Sequence, residues 1–328
     1  MSTQTVAASG HAARVRHAGG QVLSRYGIVL AFFVLCLALS LLNPYFFTRL
    51  NIINVFRQAS INGILAIGQT FVILTGGIDL SVGSLLAVCG ILGASLVTGA
   101  NPGDPLTAIA LGVGVGLGLG MVNGALVARL RVPPFVATLG MLSVARGLTF
   151  IANNGMPVPN LAPGFLRLGQ GFVAGVPIPV VLFGLSTLLA WAVLRFTTYG
   201  RYVYATGGNE RSARTSGVGT RKVIFSVYAI SGALAGLAGM VLAARTTSAL
   251  PQAGGSYELD AIAAVVIGGT SLTGGVGSII GTVFGALIIA VINNGLDLMG
   301  VSSYYQQVIK GAIIVLAVLL DTSRRGRN

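Results

Sequence analysis

Residues 200–218 read GRYVYATGGNERSARTSGV and gather Arg201, Glu210, Arg211 and Arg214, with Arg221 and Lys222 just behind, in a chain of which only 8% is charged. Gly207 and Gly208 are expected to break the chain. Asn209 is a residue type whose side-chain oxygen caps a helix N-terminus, and Glu210 in the first turn complements the positive helix end. Gly217 suits the left-handed residue that closes a helix. The expectation is a short helix over 210–216, about 10 Å long at 1.5 Å per residue. So short a helix does not hold itself in water, so another body must hold it. Arg211 and Arg214 are three apart and share a face, and Ala213 leaves room for close approach. The chemistry offered is ionic docking rather than bond making. Its alternative is a solvated basic loop that only orients the chain.

A second set of ionisable residues, Asp79, Arg146, Asp297 and Lys310, falls inside apolar blocks, where each is costly and therefore a functional candidate. Asp79 follows Gly76 and Gly77, so it either caps the next helix or belongs to a pathway. Arg146, Asp297 and Lys310 read as interhelical or interfacial ion pairs, and nothing arranges them as a proton relay.

Catalysis finds no residues to stand on. A phosphate-binding loop needs Lys directly after Gly, whereas Lys222 and Lys310 follow Arg221 and Ile309. No G-x-G-x-x-G occurs, even in GVGVGLGLG. The two histidines, His11 and His17, sit together in the polar N-terminal stretch, fewer ligands than a zinc site wants. Cys36 and Cys89 lie in apolar blocks and read as small buried side chains. No catalytic residue and no metal ligand is expected.

The elements that carry these residues follow from composition. The chain has 328 residues, 54% of them hydrophobic, with mean hydropathy +0.87, where soluble domains carry about 25% charged residues. Apolar blocks about 20 residues long match helices crossing a bilayer. The expected fold is all-α and polytopic, with ten spans at 27–43, 51–75, 80–100, 106–128, 134–152, 177–196, 222–244, 259–272, 277–296 and 304–320. Arg14, Arg16 and Arg25 precede the first block with no small-residue cleavage site after it, which reads as a retained first helix. The net charge of +13 is a topology signal, not a sign of nucleic acid, because Lys and Arg collect on the cytoplasmic side. Placing the arginines of the N-terminal tail inside also places Arg129, Arg131, the cluster from Arg195 to Lys222, and Arg324, Arg325 and Arg327 inside. Both termini are then cytoplasmic. The expected layout is a tail over 1–26, one membrane domain over 27–320, an outer loop over 153–176, a cytoplasmic coupling loop over 197–221, and a basic tail over 321–328.

Gly112, Gly116, Gly120 and Gly124 recur every four residues and line one helix face, a surface for close helix packing. The span at 259–272 is short and glycine-broken and reads as a half-helix or re-entrant segment. LTGG opens its end at Leu272, and the same four residues open the interruption LTGGIDLSVG at Leu74.

With these blocks in hand, GGIDLSVGSLLA, PPFVATLGMLSVARGL, GRYVYATGGNERSARTSGV and AVVIGGTSLTGGVGSIIGTVFGALII resemble, in this order, the permease subunits of bacterial ABC sugar importers of the ribose-type branched family. The resemblance covers most of the membrane region. It implies a homodimeric permease in the bacterial inner membrane, working with a cytoplasmic ATPase that binds ATP and Mg and with a periplasmic sugar-binding protein. It also implies that this chain binds no cofactor itself. Gly207, Gly208, Asn209, Ala213, Ser216 and Gly217 take the family's coupling role. Ser212 stands where the family often has Ala, a mild departure that loosens the expected fit. For a sugar path, Gln69, Thr70, Asn293 and Asn294 join Asp79 as polar candidates inside apolar spans, each with interhelical hydrogen bonding as its alternative. The competing reading is a secondary transporter driven by an ion gradient.

Overall fold

The computed structural model describes residues 27–325. The tails over 1–26 and 326–328, with His11, His17, Arg14, Arg16, Arg25 and Arg327, lie outside the described residues. The chain runs through α1 (Gly27–Leu42), α2 (Arg49–Leu74), α3 (Val82–Ala94), α4 (Pro105–Ala128), α5 (Pro134–Ala152), α6 (Pro163–Gln170), β1 (Phe172–Val173), β2 (Val176–Pro177) and α7 (Ile178–Phe196). It continues through α8 (Thr198–Gly208), α9 (Glu210–Thr215), α10 (Thr220–Arg245), α11 (Tyr257–Ile267), α12 (Ile279–Leu298) and α13 (Ser303–Arg325).

Helix starts follow local chemistry. Asp104 accepts from the Thr107 amide at 3.0 Å ahead of Pro105, whose missing N–H costs nothing in a first turn. Ser278 caps α12 and Thr48 caps α2 in the same way. Among the described residues, five helices are long and apolar enough to cross a membrane: α4, α5, α7, α10 and α12. α1 and α3 are shorter apolar helices. The protein is a predominantly helical, polytopic membrane protein.

The middle of the molecule is α2 and α10. From Ala59 to Leu74 every residue of α2 is buried, so this helix is a core element apolar all round and not an amphipathic one. α10 packs on α2, α3 and, most extensively, α4. The glycine ridge makes that last contact possible, since a methyl group added at Gly116 would lie 2.2 Å from the Gly232 carbonyl of α10. The expected packing face is therefore the α4–α10 interface, with Gly112, Gly116, Gly120 and Gly124 all buried.

Several expected boundaries move. The span over 80–100 shrinks to α3, because residues 77–81 stay non-helical and the chain turns again after Ala94. The span over 259–272 is helical only in α11, and residues 268–278 are irregular. The segment 153–176 is structured: α6 and the antiparallel β1–β2 pair lie there, with Val158 and Thr98 adding isolated bridges to Ala249 and Leu161. A strict all-α description is corrected by this hairpin, which a two-residue turn at Ala174 and Gly175, both at positive φ, closes. The segment 197–221 holds two helices, α8 and α9, where one was expected.

The two ends of the bundle differ. The α6 end collects the start of α2, where Arg57 donates to the Gln170 carbonyl at 2.6 Å, and the close of α10. The α9 end collects the close of α2, the α4–α5 turn, the start of α10 and the loop before α12.

Candidate functional site

At the α9 end the chain turns twice within twenty residues. Thr197 starts α8 by accepting from the Gly200 amide at 3.1 Å. α8 then runs through both Gly207 and Gly208, which corrects the expectation that these glycines break the chain. The break falls at Asn209, in extended backbone at φ −158°, which ends α8 and begins α9 in one residue. Asn209 Oδ1 accepts from the Ser212 amide at 2.9 Å, the N-cap bond that a six-residue helix needs. Beyond Thr215 the helix closes in a Schellman arrangement. Val218 N–H donates to Ala213 O and Gly217 N–H to Arg214 O, both at 3.0 Å, with Ser216 as the C-cap residue and Gly217 at φ +87°.

α9 buries only Ala213. Glu210 pairs with Arg214 one turn on and accepts from Thr220 Oγ1 at 3.1 Å, which ties α9 to the first residue of α10. Arg214 pairs within α9 and remains exposed, as does Arg211. Arg211 is exposed and has no ion-pair partner among the described residues, and Ser212, Thr215 and Ser216 are exposed beside it.

The α8–α9 elbow rests on backbone. A methyl group added at Gly207 would lie 1.8 Å from Leu74 O and 2.6 Å from Gly275 N. Leu74 and Gly275 are themselves joined, Gly275 N–H donating to Leu74 O at 2.9 Å. The two LTGG turns, over 74–77 and 272–275, therefore meet each other against α8. Tyr204 Oη donates to Gly277 O at 3.1 Å, and Tyr199 Oη lies 2.7 Å from Ser226 Oγ on α10. Burial pushes the Tyr204 phenol above its ordinary value and the Arg195 charge opposes this in part, so the hydroxyl remains a donor. α8 and α9 thus abut the end of α2, the loop before α12 and the first half of α10.

The candidates inside the spans occupy four separate places. Gln69 and Asp79 meet: the Gln69 amide donates to Asp79 O and accepts from Asp79 N, both at 3.1 Å. The Asp79 carboxylate accepts from Ser81 N at 2.9 Å, Ser81 Oγ at 2.6 Å and Ser231 Oγ at 2.9 Å, and Asn123 donates to Ser81 Oγ at 2.9 Å. α3 begins only at Val82, after Ser81, so the expected helix cap is corrected to a local turn plus a bridge to α10. Thr70 meets Thr282 at 2.8 Å. Asn294 forms a reciprocal amide pair with Asn51 at 2.9 and 2.7 Å. Asn293 is buried beside Asp260, which Lys310 contacts at 2.9 Å. The expected ion pairs are revised accordingly. Lys310 pairs with Asp260, Arg146 donates to the carbonyls of Pro251 and Ala253 at 2.7 and 2.9 Å, and Asp297 accepts from Gln306 at 2.8 Å.

Sequence reasoning missed Ser81, Ser231, Asn123, Asn51 and Asp260. Each lies in or beside an apolar block; Ser81 bonds Asp79 two residues away, while the partners of the other four stand far along the chain. Asp260 alone carried the signal used for the others, a charge within a span. Two clefts stand out, and neither is lined by Gln69, Thr70, Asp79, Asn293 or Asn294. A cleft of about 150 Å³ lies between α3, α10 and the segment before α11, and one of about 450 Å³ lies beside α9. Among the described residues no group of three or more His, Cys, Asp or Glu is placed to hold a metal ion.

Comparison with known proteins gives a consistent picture. A family described as "Branched-chain amino acid transport system / permease component" matches residues 51–318. The "Ribose import permease protein RbsC" of Bacillus subtilis is 50% identical over 305 residues, 92% of this chain and 94% of that protein. Its namesake from Escherichia coli K12 is 48% identical over 301 residues, 90% of this chain and 93% of that one. The "D-allose transport system permease protein AlsC" of E. coli K12 is 41% identical over 302 residues, 90% and 91% of the two chains. No solved structure matches the chain.

Proposed function

The chain belongs to this family of transport-system permease components, and on that premise we propose that it carries a monosaccharide of the ribose class across the inner membrane. It is a multi-pass permease subunit without an ATPase site of its own, and ATP hydrolysis belongs to a partner chain. The relatives, named for ribose and allose, support a pentose or hexose as the solute and give no support to the gradient-driven alternative.

The partners are a cytoplasmic ATPase that binds ATP with Mg, a periplasmic sugar-binding protein, and a second copy of the permease. Ten crossings, α1, α2, α3, α4, α5, α7, α10, α11, α12 and α13, put both termini and α9 on the cytoplasmic side. In their favour, α4 closes and α5 opens at the α9 end, together with the close of α2 and the start of α10, as alternating spans require. Basic residues there, Arg129, Arg131, Arg221 and Lys222, agree.

α9 is the coupling element, with Asn209, Gly217 and Ser216 fixing its ends, Ala213 its seat, and Arg211 its outward contact. Glu210 and Arg214 hold its shape. The observation that carries this reading is the seat of Gly207 between Leu74 and Gly275. Nucleotide binding on the ATPase draws α9, and α8, packed too closely to yield, passes the displacement to α2 and to the loop before α12. Gln69, Thr70, Asp79, Asn293 and Asn294 bear on transport through the helix contacts that must rearrange as the path opens.

Arg211→Glu tests the reading, because Arg211 is exposed and has no ion-pair partner among the described residues. Membrane insertion and melting temperature should be unchanged while ATPase co-purification falls at least tenfold, as expected for reversing one charge of a docked ion pair. Undiminished co-purification would remove α9 from the coupling interface. Uptake in proteoliposomes that requires ATP and binding protein, and ignores an ion gradient, tests the energy source.

A further inference from the structure

Beside α9 a cleft of about 450 Å³ opens between the turn after α2, the α4–α5 turn and the start of α10. Arg131, Arg214 and Arg221 line it, with Glu210 as the one acidic group. Glu210 is engaged by Arg214 and Thr220, which leaves the guanidinium groups of Arg131 and Arg221 without an ion-pair partner among the described residues. At the deep end stands Tyr228. Its side chain is fully buried, and its hydroxyl, beside Gly77, has no hydrogen-bond partner. A buried hydroxyl left unpaired is costly and calls for an acceptor. Two guanidinium groups without ion-pair partners and an unused hydroxyl donor line this one cleft, a donor set suited to a compact anion with several acceptor oxygens. Leu130, Phe135 and Val136 are exposed next to the rim, an apolar flank suited to acyl chains.

We propose that this cleft binds a phosphate-ester anion, held by Arg131, Arg221 and the Tyr228 hydroxyl, and that an anionic phospholipid of the adjoining leaflet supplies it. Occupied, the site joins the α4–α5 turn to α10 directly beneath the coupling helix. The orientation proposed above decides only which leaflet provides the lipid, and phosphate binding by the intact chain tests the site independently of it.

The complex of permease and ATPase is reconstituted in nanodiscs of phosphatidylcholine alone or with phosphatidylglycerol. Retained lipid is counted by native mass spectrometry, and inorganic phosphate is titrated calorimetrically into the phosphatidylcholine discs. The expected result is selective retention of phosphatidylglycerol, weakened about fivefold by each of Arg131→Asn and Arg221→Gln. Asn suits the left-handed backbone at Arg131, φ +58°, so that variant keeps the turn. Tyr228→Phe leaves the ring in place and is expected to weaken binding severalfold with an unchanged melting temperature. Binding of inorganic phosphate with the same variant dependence would support the site with a soluble occupant. Absence of both, or binding indifferent to all three substitutions, overturns the proposal.

Discussion

The two LTGG turns share four residues and lie against each other, yet they are held in opposite ways. The first, over 74–77, folds back on α2, where Gly76 and Gly77 donate to the carbonyls of Ile73 and Val72. The non-helical residues after it are fixed by buried side chains: Gln69 on the Asp79 backbone, and Ser81 and Ser231 on its carboxylate. The second, over 272–275, rests mainly on backbone, with one local side-chain acceptor, Ser271 Oγ, which Thr273 N–H meets at 3.2 Å. Ser271 N–H donates to Val276 O at 2.9 Å and Gly274 N–H to Ser271 O at 3.0 Å, with Gly274 and Gly275 both in the left-handed region. Irregular backbone packed inside the bundle must find its partners within the protein, and these turns show two solutions. One uses polar side chains from distant helices. The other uses glycines that let main chains touch.

The sharpest way to break this contrast is at the contact the two turns share. Gly207→Val forces carbon atoms into the Leu74 carbonyl, which is backbone and cannot move aside. A loss of about 3 kcal/mol or more in stability, with loss of transport, is expected in a thermal melt of the solubilised protein. An unchanged melt would mean that α8 is not seated there. Asp79→Ala probes the side-chain solution alone. It strands Ser81 and Ser231 and should cost about 2–3 kcal/mol, against a smaller loss for Asp79→Asn, which keeps one acceptor.

The glycine solution is probed by Gly275→Ala. The added methyl meets Gly208 Cα at 2.7 Å in a left-handed backbone, for an expected loss of about 2 kcal/mol. If Gly275→Ala proves neutral while Asp79→Ala is severe, the second turn is looser than its packing indicates. Smallest is Tyr204→Phe, which removes one hydrogen bond to Gly277 and should lower stability by about 1 kcal/mol. Because this bond links α8 to the loop just after the second turn, sugar-stimulated ATPase activity should uncouple from uptake more than stability falls.

Much of the fold was legible before any coordinates. The ten apolar blocks each contain a helix, because a segment that must satisfy its own backbone in hydrocarbon has little choice of structure. The glycine ridge on α4 predicted a close helix contact because four-residue spacing puts glycines on one face. Asn209 and Gly217 announced the ends of α9 because caps are local. Gly207 and Gly208 misled: glycine permits a break but does not require one, and here its missing side chain serves the contact with Leu74. Arg214 carries a contact that its spacing from Arg211 did not announce, the pairing with Glu210 four residues before it.

Of the site residues, those governed by neighbours in sequence were readable and those governed by distant partners were not. Composition and local residue order determined that this chain lives in a membrane, spans it repeatedly and carries no Gly-Lys phosphate-binding loop, because these follow from transfer energies and from which residues stand side by side. Tertiary structure decided that Gln69 faces Asp79, that Thr70 faces Thr282, that Lys310 meets Asp260, and that two copies of LTGG converge under α8. Such pairings depend on how helices cross, and crossing is fixed by the packing of whole faces, which no single stretch of sequence contains.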